Sequence, residues 1–190
     1  MADLLDLTVY LSTGRSVAWV GAGPSMELGL PSWKQLASTV LEETRRRQKR
    51  NFPRIEGLYK TQKYPEMFDE VTDSYGLGFL HRICARELVD PCIAGEIYGS
   101  LASLNFGSYF TTNYDDVLIR HLRESGKAVQ VYTNSATDLL AVDIETIPSV
   151  VKLHGDFTKP ESVILTRSDY QRWYKAGAAE TFQTFVSTHL

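Results

Sequence analysis

Three short runs of this 190-residue chain hold residue types that do chemistry: Gly21-Ala22-Gly23-Pro24-Ser25, Thr111-Thr112-Asn113-Tyr114-Asp115-Asp116 and Lys152-Leu153-His154-Gly155-Asp156. The glycines of the first leave backbone amides open to a phosphate, and a helix starting behind them adds the positive end of its dipole. Met26 stands where a dinucleotide fingerprint has its third glycine, and no Gly-Lys-Ser/Thr follows to make a P-loop. Taken alone, the run reads more readily as an ordinary glycine turn. In the second run the Asn113 amide can hold a ribose hydroxyl or a water; the alternative makes Asn113 and Asp115 caps of the next helix. In the third, His154 has an ordinary pKa near 6.5 and exchanges a proton near neutrality, while Gly155 beside it leaves room for a substrate. The alternative for His154 is a structural hydrogen-bonder, the reading given to His81, His121 and His189 in helical segments.

These runs need elements to position them. Ser16 to Val20 is a brief apolar run that stops at the glycines, as a buried parallel strand does at its carboxyl end. Ser32 caps a helix that begins at Trp33, with Leu36, Val40 and Leu41 on one face and a charged run from Glu42 to Arg50 at its end. From Asn51 to Leu104 the apolar residues repeat at helical spacing (Met67, Phe68 and Val71; Leu80, Ile83 and Cys84; Ile97 and Leu101), which predicts a helical insertion over about 51–104. Further strands are expected at Ser108–Thr112, Ala128–Tyr132, Ile147–Leu153 and Val163–Leu165, with a helix over Val117, Leu118, Ile119 and Leu122 that ends before Gly126. Alternating short strands and helices without hairpin signals make an α/β fold with a mainly parallel sheet. All three chemical runs then fall at carboxyl strand ends, the edge where open α/β sheets bind ligands. Leu4, Leu5, Val9 and Leu11 suggest a lead-in helix stopping at Gly14. A last helix carries Ala178, Phe182, Phe185, Val186 and Leu190, with no strand after it. Such a helix normally delivers the chain to another strand, so residues 1–190 read as one domain, the amino-terminal part of a longer protein.

Composition narrows the partners. Twenty Lys and Arg against 23 Asp and Glu give a net charge of -3, no electrostatic reason to expect nucleic acid or an anionic membrane. The acidic start Met-Ala-Asp-Leu-Leu-Asp is unlike a secretory leader, and no apolar run approaches about 18 residues, so a cytoplasmic protein is expected. Cys84 and Cys92 read as free thiols, and two cysteines with four scattered histidines offer no metal site. The basic run Arg45 to Arg50 follows Glu42 and Glu43 at helical spacing and reads as a solvated helix end. Tyr59, Tyr64, Phe68, Tyr75 and Phe79 recur at helix spacing and read as core.

Taken together, Gly-Ala-Gly-x-Ser followed by Gly29-Leu30-Pro31-Ser32-Trp33, then Thr-Thr-Asn-Tyr-Asp, then Leu-His-Gly-Asp, resemble the sirtuin superfamily in order and spacing. The resemblance is closest to the sirtuin-like domains of bacterial antiphage defence proteins. It covers about Val17 to Tyr170, and Leu165 to Tyr170 resembles another recurring segment of theirs. It implies a Rossmann-like sheet with a helical insertion, NAD as bound substrate, and cleavage between nicotinamide and ribose, which depletes cellular NAD. It places Gly21, Ala22, Gly23, Ser25 and Thr112 around the NAD phosphates and ribose, Asn113 at the reacting ribose, Asp115 near nicotinamide, and His154 as catalytic base. Protein-deacylating sirtuins resemble one another in a four-cysteine zinc module and in Asp-Phe-Arg where this chain has Ser32-Trp33-Lys34. The resemblance therefore implies an NAD glycohydrolase without a metal, acting as a homo-oligomer or with a sensor subunit. The alternatives are an NAD-dependent deacylase and a catalytically silent nucleotide sensor.

Overall fold

The computed structural model describes residues 9, 13, 16–47, 51–143 and 147–189, the backbone alone at 185, 188 and 189. The lead-in helix expected at Leu4 to Gly14 lies outside them except for Val9 and Thr13, and Leu190 and the Phe185 and His189 side chains are outside as well. Four parallel strands, β1 (Val17–Val20), β2 (Ser108–Thr111), β3 (Gln130–Thr133) and β4 (Ser149–Lys152), form a sheet in the order β1-β2-β4-β3. One register row crosses it, Val20 to Thr111 to Lys152 to Thr133, so the strands end level with one another. The runs that follow β1, β2 and β4 therefore leave the same edge side by side.

Alternation of side chains in β2 and β4 gives the sheet two buried faces. Tyr109 and Val150 share one face with Ala18 and Val20, covered by α6 (Glu96–Ser103) and α7 (Val117–Glu124) through Tyr98, Leu118 and Leu122. Phe110 and Val151 point the other way, against Leu139 of α8 (Ala136–Leu140) and Phe182 and Val186 of α10 (Ala178–His189). The intervening α9 (Arg167–Lys175) opens with a capping box: Thr166 accepts from the Asp169 backbone while the Asp169 carboxylate accepts from that of Thr166. The chain leaves α7 at Gly126, whose φ of +86° suits a glycine after a helix end.

The stretch over 51–104 is helical, in two parts. After α1 (Gly23–Glu27), α2 (Trp33–Arg45) is capped as expected: Ser32 accepts from the Gln35 backbone at 3.3 Å and donates its own backbone N–H to the Gln35 side chain at 2.8 Å. Pro53 and Pro65 stand in the first turns of α3 (Phe52–Lys60) and α4 (Tyr64–Tyr75), where the missing N–H costs nothing. With α5 (Leu77–Glu87), these helices bury Val40, Ile55, Met67, Phe68, Val71 and Leu80 in a second core, each such side chain contributing roughly 1.5–3 kcal/mol by leaving water. That core takes in Tyr114, Val163 and Leu165, so it also props the turn after β2. Helix α6 instead packs on α7.

Two expectations are corrected. Val163–Leu165 is buried but is not a fifth strand. Its backbone is used locally: Ile164 N–H donates to the His154 carbonyl, Leu165 N–H to Asp169, and the Ile164 carbonyl accepts from Tyr114. The third strand begins at Gln130 rather than Ala128, and α8 was not foreseen between it and β4. The aromatic run at Tyr59 to Phe79 lies in or against the helical core. The basic run ends α2 with Arg45 on Glu42 and Arg46 and Arg47 on Glu43, while 48–50 fall outside the described residues.

Candidate active site

The glycines after β1 open a helix. Gly23, Pro24 and Ser25 are the first residues of α1, and Gly21, Ala22 and Gly23 are exposed with open space around both glycines. Ser25, one turn in, is buried, and its hydroxyl donates to Asp115 Oδ2 at 3.0 Å. Asn113, two residues past the end of β2, turns its amide nitrogen inward to the Gly21 carbonyl at 3.0 Å and to Ser25 Oγ at 3.1 Å. Its own N–H is tied to Thr111 Oγ1, which donates to the Val20 carbonyl at the end of β1. The two strand ends are thereby laced together through the residues that the first two runs contain.

A cavity of about 290 Å³ opens here, walled by Ala22, Ser25, Thr112, Asn113, Tyr114 and Asp115 on one side and by Leu30, Pro31, Trp33, Leu36 and Leu88 on the other. Thr112 is exposed at its mouth. Asp115 Oδ1 accepts from the N–H of Val117, the first residue of α7, at 3.2 Å, and Oδ2 belongs to the cavity network. Burial raises its pKa, against the hydrogen bonds from Ser25 and Val117 that favour the carboxylate.

His154 lies two residues past the end of β4. It does not line that cavity, but it packs on Tyr114, which does, at 5.9 Å between ring centroids. Its Nε2 is 3.4 Å from the Tyr170 hydroxyl, and its buried Nδ1 has no hydrogen-bond partner. Desolvation pushes its pKa down to about 4, only partly countered by the Thr112 backbone, so the ring is neutral at pH 7. The space beside Gly155 is not free for a substrate, contrary to expectation. Its φ is +82°, and an added Cβ would sit 2.1 Å from the Ser162 carbonyl oxygen, so the glycine is required by the close passage of its own chain.

Sequence reasoning missed three contributors. Lys152 belongs to the third run, yet its side chain is buried and its ammonium donates to the Tyr114 carbonyl at 2.7 Å, Asp116 at 2.8 Å and Asp156 at 2.6 Å. All three of its protons are used, and the turns after β2 and β4 are braced together. Burial works to raise the Asp156 pKa, but hydrogen bonds from Lys152 and Thr158 hold it below the usual carboxylate range. Asn134, past the end of β3, donates to the Leu153 and Ser162 carbonyls at 2.9 Å and holds the loop around His154. Tyr98 comes from α6 and puts its hydroxyl 2.5 Å from Ser25 Oγ. Of these, only a charged lysine in an otherwise buried strand left a signal in the sequence. A larger concavity, about 480 Å³ between α8 and α9, touches none of the three runs.

A glycine-led helix start, an asparagine and a histidine lie on one edge of a parallel sheet with a helical insertion, and residues 107–190 of this α/β chain match the SIR2-like domain family. The chain is 30% identical over 168 residues to the NAD(+) hydrolase ThsA of Enterococcus faecium, covering 86% of itself and 32% of that protein. It is 26% identical over 170 residues to the NAD(+) hydrolase ThsA of Bacillus cereus, and 26% over 192 residues to defense-associated sirtuin 2 of Bacillus subtilis. It spans about a third of the length of the two hydrolases and 18% of the sirtuin. Among the described residues no three His, Cys, Asp or Glu side chains are grouped to hold a metal, and no helix is long and apolar enough to cross a membrane.

Proposed function

We propose that this chain is the NAD+ glycohydrolase domain of an antiphage defence protein, taking NAD+ as substrate and releasing nicotinamide and ADP-ribose. The observation that carries this reading is the cavity in which Ala22, Ser25, Asn113 and Asp115 meet beside the open glycines, on a chain similar to proteins named NAD(+) hydrolase. At about 290 Å³ it suits the nicotinamide and its ribose rather than the whole dinucleotide, whose phosphates would lie outside along Gly21 to Gly23.

The chemistry asks for orientation more than for acid. Nicotinamide leaves as a neutral molecule from a positively charged ring, through an oxocarbenium-like transition state of the kind met in glycoside hydrolysis. Asn113, with its nitrogen committed to Gly21 and Ser25, offers its amide oxygen to a ribose hydroxyl or the attacking water. Asp115 faces the positive nicotinamide. His154, neutral at pH 7 and set behind the Tyr114 wall of the cavity, is the base to which the proton that the water loses passes. The chain acts in the cytoplasm, without nucleic acid or membrane, as a homo-oligomer or beside a sensing subunit. The net charge of -3 supports the absence of nucleic acid and of an anionic membrane among the partners.

The test is nicotinamide release by the intact natural protein incubated with NAD+, with and without an acylated peptide. Release without peptide is expected. Release that requires the peptide would mean a deacylase, and binding of NAD+ without any release would mean a sensor module.

A further inference from the structure

The helical insertion walls the cavity with Leu88 and reaches its polar network through Tyr98. Tyr98 is fully buried, and its hydroxyl oxygen lies 2.5 Å from Ser25 Oγ. A count of protons gives this contact a direction. Serine has one proton, and the Asp115 carboxylate at 3.0 Å takes it. Ser25 Oγ must therefore accept from Tyr98, and its second lone pair accepts from Asn113 Nδ2 at 3.1 Å. The second amide proton of Asn113 goes to the Gly21 carbonyl, with the Tyr98 oxygen a longer third neighbour of the nitrogen at 3.4 Å, so both protons are used and a flipped amide would turn its oxygen onto the Gly21 carbonyl.

Helix α6 is fixed to the element that follows Asn113. The Tyr98 ring packs on His121 of α7 at 5.4 Å. His121 Nδ1 donates to the Val117 carbonyl, which leaves Nε2 to accept from Gly95 N–H at the start of α6. Arg120 grips Asp90 and the Ile93 carbonyl from the same helix. Burial pushes the Tyr98 phenol up to about 12, so it remains a donor at any working pH.

We infer that Tyr98 is a positioning residue for the hydrolysis: by donating to Ser25 it fixes the direction of the Ser25 to Asp115 hydrogen bond and the orientation of the Asn113 amide. The inference rests on the NAD+ reading of the cavity. A displacement of α6 would reach the reacting groups through this hydroxyl, by its short contact with Ser25 and its longer one, at 3.4 Å, with Asn113 Nδ2.

The experiment is a double-mutant cycle in the intact natural protein, with kcat and KM for NAD+ and the melting temperature of each variant. Tyr98→Phe keeps the ring on His121 and removes the donor. It should lower kcat about tenfold, the worth of one hydrogen bond, and leave KM within about twofold. In a Ser25→Ala background the same change should lower kcat less than about twofold, because the group it acts through is gone. Equal factors in both backgrounds, an unchanged kcat, or an effect on KM alone would overturn the inference. If Tyr98→Phe does not fold, 3-fluorotyrosine in place of Tyr98, a stronger donor of nearly the same size, should change kcat at unchanged melting temperature. No change would count against it. Natural protein that hydrolyses NAD+ but ignores these substitutions removes only this inference, whereas natural protein that releases no nicotinamide removes the NAD+ reading with it.

Discussion

The turns after β2 and β4 leave the sheet from the same register row, yet they present their chemical groups in opposite ways. Asn113 sits in a saturated polar net, with both amide protons, its backbone N–H and its neighbour Asp115 all engaged. His154 sits among Tyr114 and Tyr170 with one ring nitrogen unpartnered. A group that must hold a fixed orientation is tied by hydrogen bonds, because each bond removes a rotamer choice. A group that must change protonation is surrounded by rings, because desolvation keeps it neutral until a proton is offered. On the proposed reading of the site, the difference separates orientation from proton transfer along one sheet edge.

The sharpest way to break this comparison is to remove each group. Asn113→Ala and His154→Ala should each lower NAD+ hydrolysis by about a hundred- to ten-thousand-fold while the domain still folds, as nicotinamide release and circular dichroism would check. Near-normal turnover in His154→Ala would leave proton transfer without an owner. Next in size is the brace between the turns: Lys152→Met removes an ammonium whose side chain is 1% exposed and strands Asp156 and the Tyr114 carbonyl. It should cost about 3 kcal/mol of stability, measured by denaturant unfolding.

Acid sharpens the comparison because only one turn holds a group with a strongly lowered pKa. The unfolded chain takes up a proton at His154 below pH 6.5, and the native ring refuses it until about pH 4, so stability falls as pH drops through that window. Unfolding at pH 7 and pH 5 should differ by about 2 kcal/mol more in the natural protein than in His154→Gln, and hydrolysis should stay level from pH 6.5 to 8. The smallest effect belongs far from both turns. Arg47→Ala, which loses a surface ion pair with Glu43 and a guanidinium over the Phe79 ring, should change stability by no more than about 1 kcal/mol and leave nicotinamide release alone.

The placement of the glycine turn, Asn113 and His154 at one edge was legible because strand ends punctuate apolar runs, and a parallel sheet sends such ends to one edge. Residues whose role depends on a distant partner were not. Tyr98 lies 73 positions from Ser25 within a helix that reads as ordinary core, and nothing in its spacing marks the hydroxyl. Val163 to Leu165 has the apolar pattern of a strand, but periodicity reports burial, not the partner of each backbone group; here those partners are His154, Asp169 and Tyr114. Gly155 was legible as special, yet the neighbour that requires a glycine is the chain itself.

The Lys152 ammonium has a consequence for how the edge responds to salt. Exposed pairs such as those of Arg45 and Arg46 on α2 weaken as ions gather around them, with a screening distance of about 8 Å at physiological ionic strength. The Lys152 ammonium is buried, and although its partner Asp116 is 58% exposed and open to those ions, its bonds to Asp156, 14% exposed, and to the Tyr114 carbonyl are shielded from them. The spacing between the Asn113 turn and the His154 turn is therefore set by the chain, and the ionic strength of the surroundings leaves it almost unchanged.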